Sequence, residues 1–341
     1  MPDEEDHGAP PAAAYETRAF VDADAPAILG LFAKCFPHAE RTREHFRWKY
    51  QNDPFGDRHI SLTFDPAGSL VGHYAGYVVP VQWGETVLVT HQIGDTMTLP
   101  AVRHLGRGPS SILGRTARDF YERFCDQQVA FNYGFNVANI QRFSLRFLRS
   151  DRVAPVDWRR RDLIDHPIPR LSRWARKARG YRLELLRQAG DELDELFERV
   201  RSAYGFLVRR DARYVQWRYL DCPDTTYFVI AIRRWGRLVG WSVFRVRGRD
   251  LIWGDALFDP SVPAAVSVML RHVVPGYPVD GIEGWFPRHP EWFSAILDDL
   301  GFVSGREPQD LSVMCVPFAL PDAAAVMRQS LYYAMGDSDL F

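Results

Sequence analysis

One constraint outweighs the rest in this 341-residue chain: it contains the same pattern twice. FRWKYQNDP at residues 46–54 and VQWRYLDCP at residues 215–223 align without a gap, matching Trp48, Tyr50 and Pro54 to Trp217, Tyr219 and Pro223. GSLVG (68–72) then pairs with GRLVG (236–240), and DTMTLP (95–100) with DALFDP (255–260). Gly134-Phe135 and Phe143 match Gly284-Trp285 and Phe293 at identical spacing. Landmarks recurring in one order mean two copies of one folding unit. The length suits two domains of ordinary size, and 46% hydrophobic residues can bury a core in each.

Periodicity outlines each copy. In the first, YETRAFV reads as a strand. DADAPAILGLFAKCF reads as a helix with Asp22 or Asp24 as N-cap and Ile28, Leu31 and Phe32 on one face. HISLTFD, LVGHYAGYVVPVQ and TVLVTHQIGDTMTL read as strands. PSSILGRTARDFYERF is helical, QVAFNYGF a strand and NIQRFSLRFL a second helix. The order β-α-β-β-β-α-β-α predicts a mixed α/β fold, a mainly antiparallel sheet flanked by helices. The expected division is a disordered leader at 1–14, a first domain at 15–155, a basic connector at 156–180, a second domain at 181–318, and a C-terminal helix with an acidic tail at 319–341.

A net charge of −1 supplies no global field toward nucleic acid or anionic membrane. The N-terminus lacks the basic start and apolar run of a signal peptide, and no stretch has the roughly 20 apolar residues of a membrane span. Cys35, Cys125, Cys222 and Cys315 are scattered without metal spacing, which argues against both a disulfide framework and a metal site. A cytoplasmic protein is expected.

RHLGRGPSS (103–111) carries the chemistry. It joins a strand ending at Leu99-Pro100 to a helix expected to open at Pro109-Ser110. Glycines accept positive φ and leave room for backbone N–H groups to face one concavity, and a helix N-terminus adds positive potential, so the loop can hold a phosphate. Arg103 and Arg107 are alternative charged partners. An ordinary strand-to-helix turn is the plain alternative.

At Arg103, Gly106 and Gly108 the chain resembles the GNAT superfamily of acyl-CoA-dependent N-acetyltransferases. The pyrophosphate loop of that family reads Q/R-x-x-G-x-G/A after a strand ending V-x-P; Thr98-Leu99-Pro100 stands at that strand end. The resemblance implies that acetyl-CoA is the co-substrate. Arg103, His104, Leu105, Gly106, Arg107, Gly108, Pro109 and Ser110 would lie on its pyrophosphate, and Met97, Thr98 and Leu99 along its pantetheine arm. An N–H near Leu99 would polarise the thioester. Asn139 fits the Asn at the head of the family's next helix. Arg146 stands where the family's acid tyrosine is expected, and that helix contains no tyrosine.

Candidates for the proton work are Asp95, His91 and Gln92 on the central strand, His73 and Tyr74 beside it, and Asp337, Asp339 or the Phe341 terminal carboxylate. The last follows a resemblance to tandem-GNAT mycobacterial survival acetyltransferases. The second copy continues SVPAAVSVMLRHVV after Asp255–Pro260 and has no glycine loop, so one acyl-CoA per chain is expected. A small-molecule amine is the expected acceptor; neither nucleic acid nor membrane is expected as a partner, and a homodimer stays open. The rivals are an aminoacyl-tRNA-dependent transferase, favoured by Arg159–Arg161, Arg173, Arg176, Lys177 and Arg179, and a non-catalytic acyl-CoA sensor.

Overall fold

The computed structural model describes residues 15–125 and 128–341; the expected leader at 1–14 lies outside them. The first copy runs β1 (Glu16–Ala19), α1 (Ala25–Cys35), α2 (Arg43–Phe46), β2 (His59–Phe64), β3 (Leu70–Trp83), β4 (Thr86–Thr98), α3 (Ile112–Phe124), β5 (Val129–Asn136), α4 (Ala138–Phe147) and β6 (Asp151–Pro155). After β7 (Asp157–Asp162) and α5 (Arg173–Ala178), the second copy repeats the plan. It comprises β8 (Tyr181–Leu185), α6 (Glu192–Val200), β9 (Phe206–Val208), α7 (Ala212–Val215), β10 (Phe228–Arg234), β11 (Arg237–Arg247), β12 (Asp250–Phe258), α8 (Ala264–Val273), β13 (Gly281–Trp285) and α9 (Glu291–Asp299). The chain ends with β14 (Val303–Arg306), β15 (Ser312–Pro317), α10 (Ala323–Ser330), β16 (Leu331–Tyr332) and an irregular tail. The fold is mixed α/β with two mainly antiparallel sheets.

The repeated Trp-x-Tyr lies where the copies meet. In both copies a short helix, α2 or α7, passes into a π-turn, Arg47–Gln51 or Gln216–Leu220. The Trp48 indole N–H donates to the Trp217 carbonyl at 2.6 Å, and the Trp217 indole donates back to the Trp48 carbonyl at 3.0 Å. The two rings stack with centroids 5.5 Å apart. This reciprocal contact is a pseudo-two-fold junction. The aromatic residues of both repeats are buried, as expected of large apolar side chains that find partners for their polar atoms.

The copies also exchange strands. The first sheet runs β1-β2-β3-β4-β5-β15-β6, with β9 against β3, and the second runs β14-β7-β13-β12-β11-β10-β8. So β15, late in the chain, lies between β5 and β6 of the first copy, with Ser312 opposite Asn136 and Pro317 opposite Phe131. In return β7 is inserted between β13 and β14. The expected boundaries are corrected accordingly: residues 157–162 are an interior strand of the second sheet rather than connector, and residues 312–317 belong to the first. Each exchanged strand satisfies a sheet edge that would otherwise be open. The arginines of β7 have internal partners, Arg159 on Asp298 and Arg160 on Asp250 and Glu283. They are not a solvated basic segment.

Candidate active site

A cleft opens where β4 and β5 part. The two strands pair in parallel only from Val89–Gln92 against Val129–Tyr133, and beyond Gln92 they diverge. A bulge in β4 against β3 puts Asp95 at φ 47°, where an L-residue is strained. The resulting cleft has a volume of about 760 Å³. Tyr74, Ile93, Asp95, Thr98 and Arg103 line one wall, and Gly134, Asn136, Asn139 and Phe143 the other.

The glycine loop lies beside the cleft and meets it at Arg103 and Ser111. Gly106 has φ +70° and Gly108 φ +54°, and a Cβ would meet the Ser110 carbonyl at 2.4 Å or the Phe147 ring at 2.6 Å. Both positions therefore require glycine. The α-helix starts later than expected. Pro109-Ser110 sit in a 3₁₀ turn, and extended Ser111 is the N-cap, its hydroxyl accepting from the Gly114 N–H at 3.1 Å. The Gly106 and Gly108 N–H groups have no acceptor among the described residues; Gly106 is exposed and Gly108 is buried. Arg103 lines the cleft, its Nε donating to the Thr98 carbonyl at 3.0 Å. Gly106 and Gly108, like His104, Leu105, Arg107, Pro109 and Ser110, form the loop without lining the cleft. Asn139 lines it, and its side-chain oxygen accepts from Arg142 at 2.7 Å.

Two expectations for the strand end are corrected. The Leu99 N–H donates to the Val71 carbonyl at 2.8 Å, so it cannot polarise a thioester, and Met97 is buried in the core. Alternation along the strand turns the Thr98 amide toward the open edge instead.

Asp95 is the hub of a charged cluster. Its carboxylate accepts from Arg41 at 2.9 Å, Lys49 at 2.8 Å and the Tyr50 hydroxyl at 2.9 Å. Burial alone would raise its pKa, but Lys49 and Arg41 outweigh burial and hold it well below the usual carboxylate range. A carboxylate so placed is a poor base, and the expectation of a proton-accepting Asp95 gives way to a positioning role. Its backbone N–H donates to Asp339 Oδ2 at 3.1 Å, and Asp339 lies 3.6 Å from Lys49 Nζ. The tail thus delivers Asp339 into the cleft at the bulge.

The other proton candidates lie elsewhere. His91 is fully buried between Asn132 (2.9 Å) and His59 (2.7 Å) and does not line the cleft; burial and His59 push it down to about 4. His73, also pushed down to about 4 by burial, contacts the Asp95 carbonyl at 2.8 Å. The Gln92 amide donates to the Ile93 carbonyl. Asp337 is buried against Arg210, and burial pushes it up to about 6. The Phe341 main-chain oxygen accepts from Arg218 at 3.1 Å while its ring is buried beside Tyr227 and Arg245, away from the cleft. Tyr74 does line the cleft, its hydroxyl 3.0 Å from that of Tyr121, another lining residue. Tyr121 lies on α3, outside α4, the helix on which the resemblance places the acid tyrosine.

The second copy holds the same cluster in closed form. Arg41, Lys49, Tyr50 and Asp95 correspond in the repeat to Arg210, Arg218, Tyr219 and Asp255. Asp255 accepts from Arg210 at 2.9 Å and from Tyr219 at 2.6 Å, all fully or almost fully buried. At Gly254, the counterpart of Gly94, a Cβ would fall 1.7 Å from a Phe341 ring atom, so the ring packs directly on this strand.

On the opposite sheet face a second hollow of about 220 Å³ is lined by Trp48, Tyr77, Trp217, Tyr227 and Arg245. It shares Arg41, Asp339 and Leu340 with the cleft, so the two meet at Asp339. Among the described residues no three His, Cys, Asp or Glu side chains are grouped to hold a metal, and no helix is long and apolar enough to cross a membrane.

This architecture is the GNAT fold. No protein-family model matches the chain, and no curated protein is significantly similar to it. Among solved structures, a probable N-acyltransferase from Enterococcus faecalis superposes with a TM-score of 0.66 at 12% identity, covering 90% of this chain and 73% of its own. A GCN5-related N-acetyltransferase from Kribbella flavida has a TM-score of 0.63 at 12% identity, with 92% and 74% covered. Saccharomyces cerevisiae N-myristoyltransferase with bound myristoyl-CoA has a TM-score of 0.58 at 12% identity, with 92% and 81% covered.

Proposed function

We propose that the chain is an acyl-CoA-dependent N-acyltransferase that moves an acyl group, acetyl in the simplest case, to a primary amine of a small molecule. The observation that carries this reading is the cleft that runs from Arg103 and Ser111, at the two ends of the glycine loop, through the β4–β5 opening to Asp339. Arg103 and the Gly106 and Gly108 amides hold the pyrophosphate, and the free edge around Thr98 receives the pantetheine arm as an added strand would pair. The amine enters from the opposite hollow. As its nitrogen bonds to the thioester carbon and the C–S bond breaks, Asp339 takes the ammonium proton and the Tyr74–Tyr121 hydroxyl pair protonates the departing thiolate. With Leu99 engaged, the Asp95 N–H is the donor for the thioester oxygen once Asp339 turns to the amine.

The second copy lacks the loop, and Phe341 packs on its equivalent strand, so one acyl-CoA binds per chain. Arg159 and Arg160, which lent weight to a tRNA-dependent reaction, are ion-paired within the second copy, to Asp298 of α9 and to Asp250 and Glu283 of the sheet. The test is CoA release from acetyl-CoA with a panel of amines. Release that depends on amine and is lost with Asp339→Asn supports the reading; wild-type protein that releases no CoA with any amine or acyl chain length refutes it.

A further inference from the structure

The hollow on the acceptor side contains more charge than the acyl transfer uses. Most of its ionic groups have partners. Arg41 and Lys49 are on Asp95, and His45 is on Asp224 at 2.8 Å. Arg218 donates to three main-chain oxygens of the tail, those of Gly336, Ser338 and Phe341. Arg245 differs. Its guanidinium makes no hydrogen bond or ion pair with any described residue, and its Nε is buried without an acceptor. Its guanidinium lies over the Phe341 ring, 4.7 Å from the centroid. That ring supports one face of the guanidinium but supplies no acceptor to its N–H fork. Burial, together with the neighbouring Arg247 and Arg218, pushes its pKa down, as expected for a cation in positive surroundings. A buried donor left unpaired is costly, so an arginine in this state at a lined hollow is suited to an incoming anion. Asp339 faces the same hollow as a carboxylate, directly beside the bulge.

We infer that the acceptor is a small molecule carrying a carboxylate as well as its reactive amine, with the carboxylate bound by Arg245 and the amine presented to Asp339. This rests on the acyltransfer reading above and specifies its substrate. A planar guanidinium supported on one face matches a planar carboxylate through paired N–H donors, whereas an uncharged amide leaves the cation uncompensated. The hollow, about 220 Å³, is smaller than a drug-sized site, which fits a molecule on the scale of a free amino acid. Trp48, Tyr77, Trp217 and Tyr227 supply an apolar wall for its side chain.

The experiment compares L-leucine, L-methionine and L-phenylalanine with their carboxamides, measuring CoA release from acetyl-CoA by wild type, Arg245→Met and Arg245→Lys. The expected result is a kcat/KM at least about tenfold higher for the acids in wild type, about 1.4 kcal/mol at the lower bound. Arg245→Met removes that preference by raising KM for the acids relative to the carboxamides, and Arg245→Lys restores part of it. Carboxamides used as well as the acids, or an acid preference that survives Arg245→Met, overturn the carboxylate assignment while leaving the acyltransferase intact. No CoA release with any amine overturns both.

Discussion

Gly254→Ala, in the copy without a glycine loop, should silence chemistry in the other copy. Its Cβ would be placed 1.7 Å from a Phe341 ring atom, with two further ring atoms within 2.4 Å. No rotamer change of a methyl group relieves this, so either β12 shifts or the ring leaves. β12 is paired with β11 on either side of the bulge at Gly254, and with β13 as far as Ile252, whereas the ring belongs to the last residue of the chain, so the ring leaves. Phe341 is buried to 8% exposure. Releasing an aromatic side chain of roughly 150–200 Å² exposes surface worth about 4–5 kcal/mol, an upper bound because the freed tail regains entropy. That loss undoes the Arg218 contacts to Gly336, Ser338 and Phe341, and with them the placement of Asp339 two residues earlier. Initial rates of CoA release should fall at least about a hundredfold, the usual worth of a positioned base. Acetyl-CoA affinity by calorimetry should stay within about twofold, since the glycine loop is untouched. A variant of full activity with the tail demonstrably displaced would refute the argument that the tail supplies the proton acceptor.

Asp339→Asn keeps the hydrogen bond from the Asp95 N–H while removing the base; kcat should drop about a hundredfold or more in steady-state assays with little change in acetyl-CoA Kd. Gly106→Val forces a β-branched residue to φ +70° against the Ser110 carbonyl, and calorimetry should find acetyl-CoA binding weakened at least tenfold with the fold retained by circular dichroism. His91 is pushed down to about 4 in the folded chain and titrates near 6.5 when unfolded, so its stabilising contribution is present above pH 6.5 and lost as pH falls toward 4. Urea titrations of His91→Gln should therefore lose stability less steeply than wild type across that window, the slopes differing by about 1.4 kcal/mol per pH unit. Tyr121→Phe should reduce kcat about tenfold or more while acetyl-CoA binding holds, read in the same assays.

Local pattern was enough for the parts of this protein made by neighbouring residues. The doubled Trp-x-Tyr, the strand and helix periods and the mixed α/β class were all readable, as was the glycine loop, because positive φ and close approach leave few residue choices at Gly106 and Gly108. Tertiary structure decided what depends on distant partners. Nothing local to Asp157–Asp162 or Ser312–Pro317 says that each completes the other copy's sheet, since a strand's partner is chosen by which edge remains open. Asp95 was visible as a candidate, yet its three donors, Arg41 from just before α2 and Lys49 and Tyr50 from the π-turn, brought in by the fold, remove its basicity. The tail shows the division most sharply. Its acidic and aromatic residues could be read as a docking segment, but only packing separates their fates: Asp337 on Arg210, Phe341 on Gly254, and Asp339 alone at the bulge where the two hollows meet.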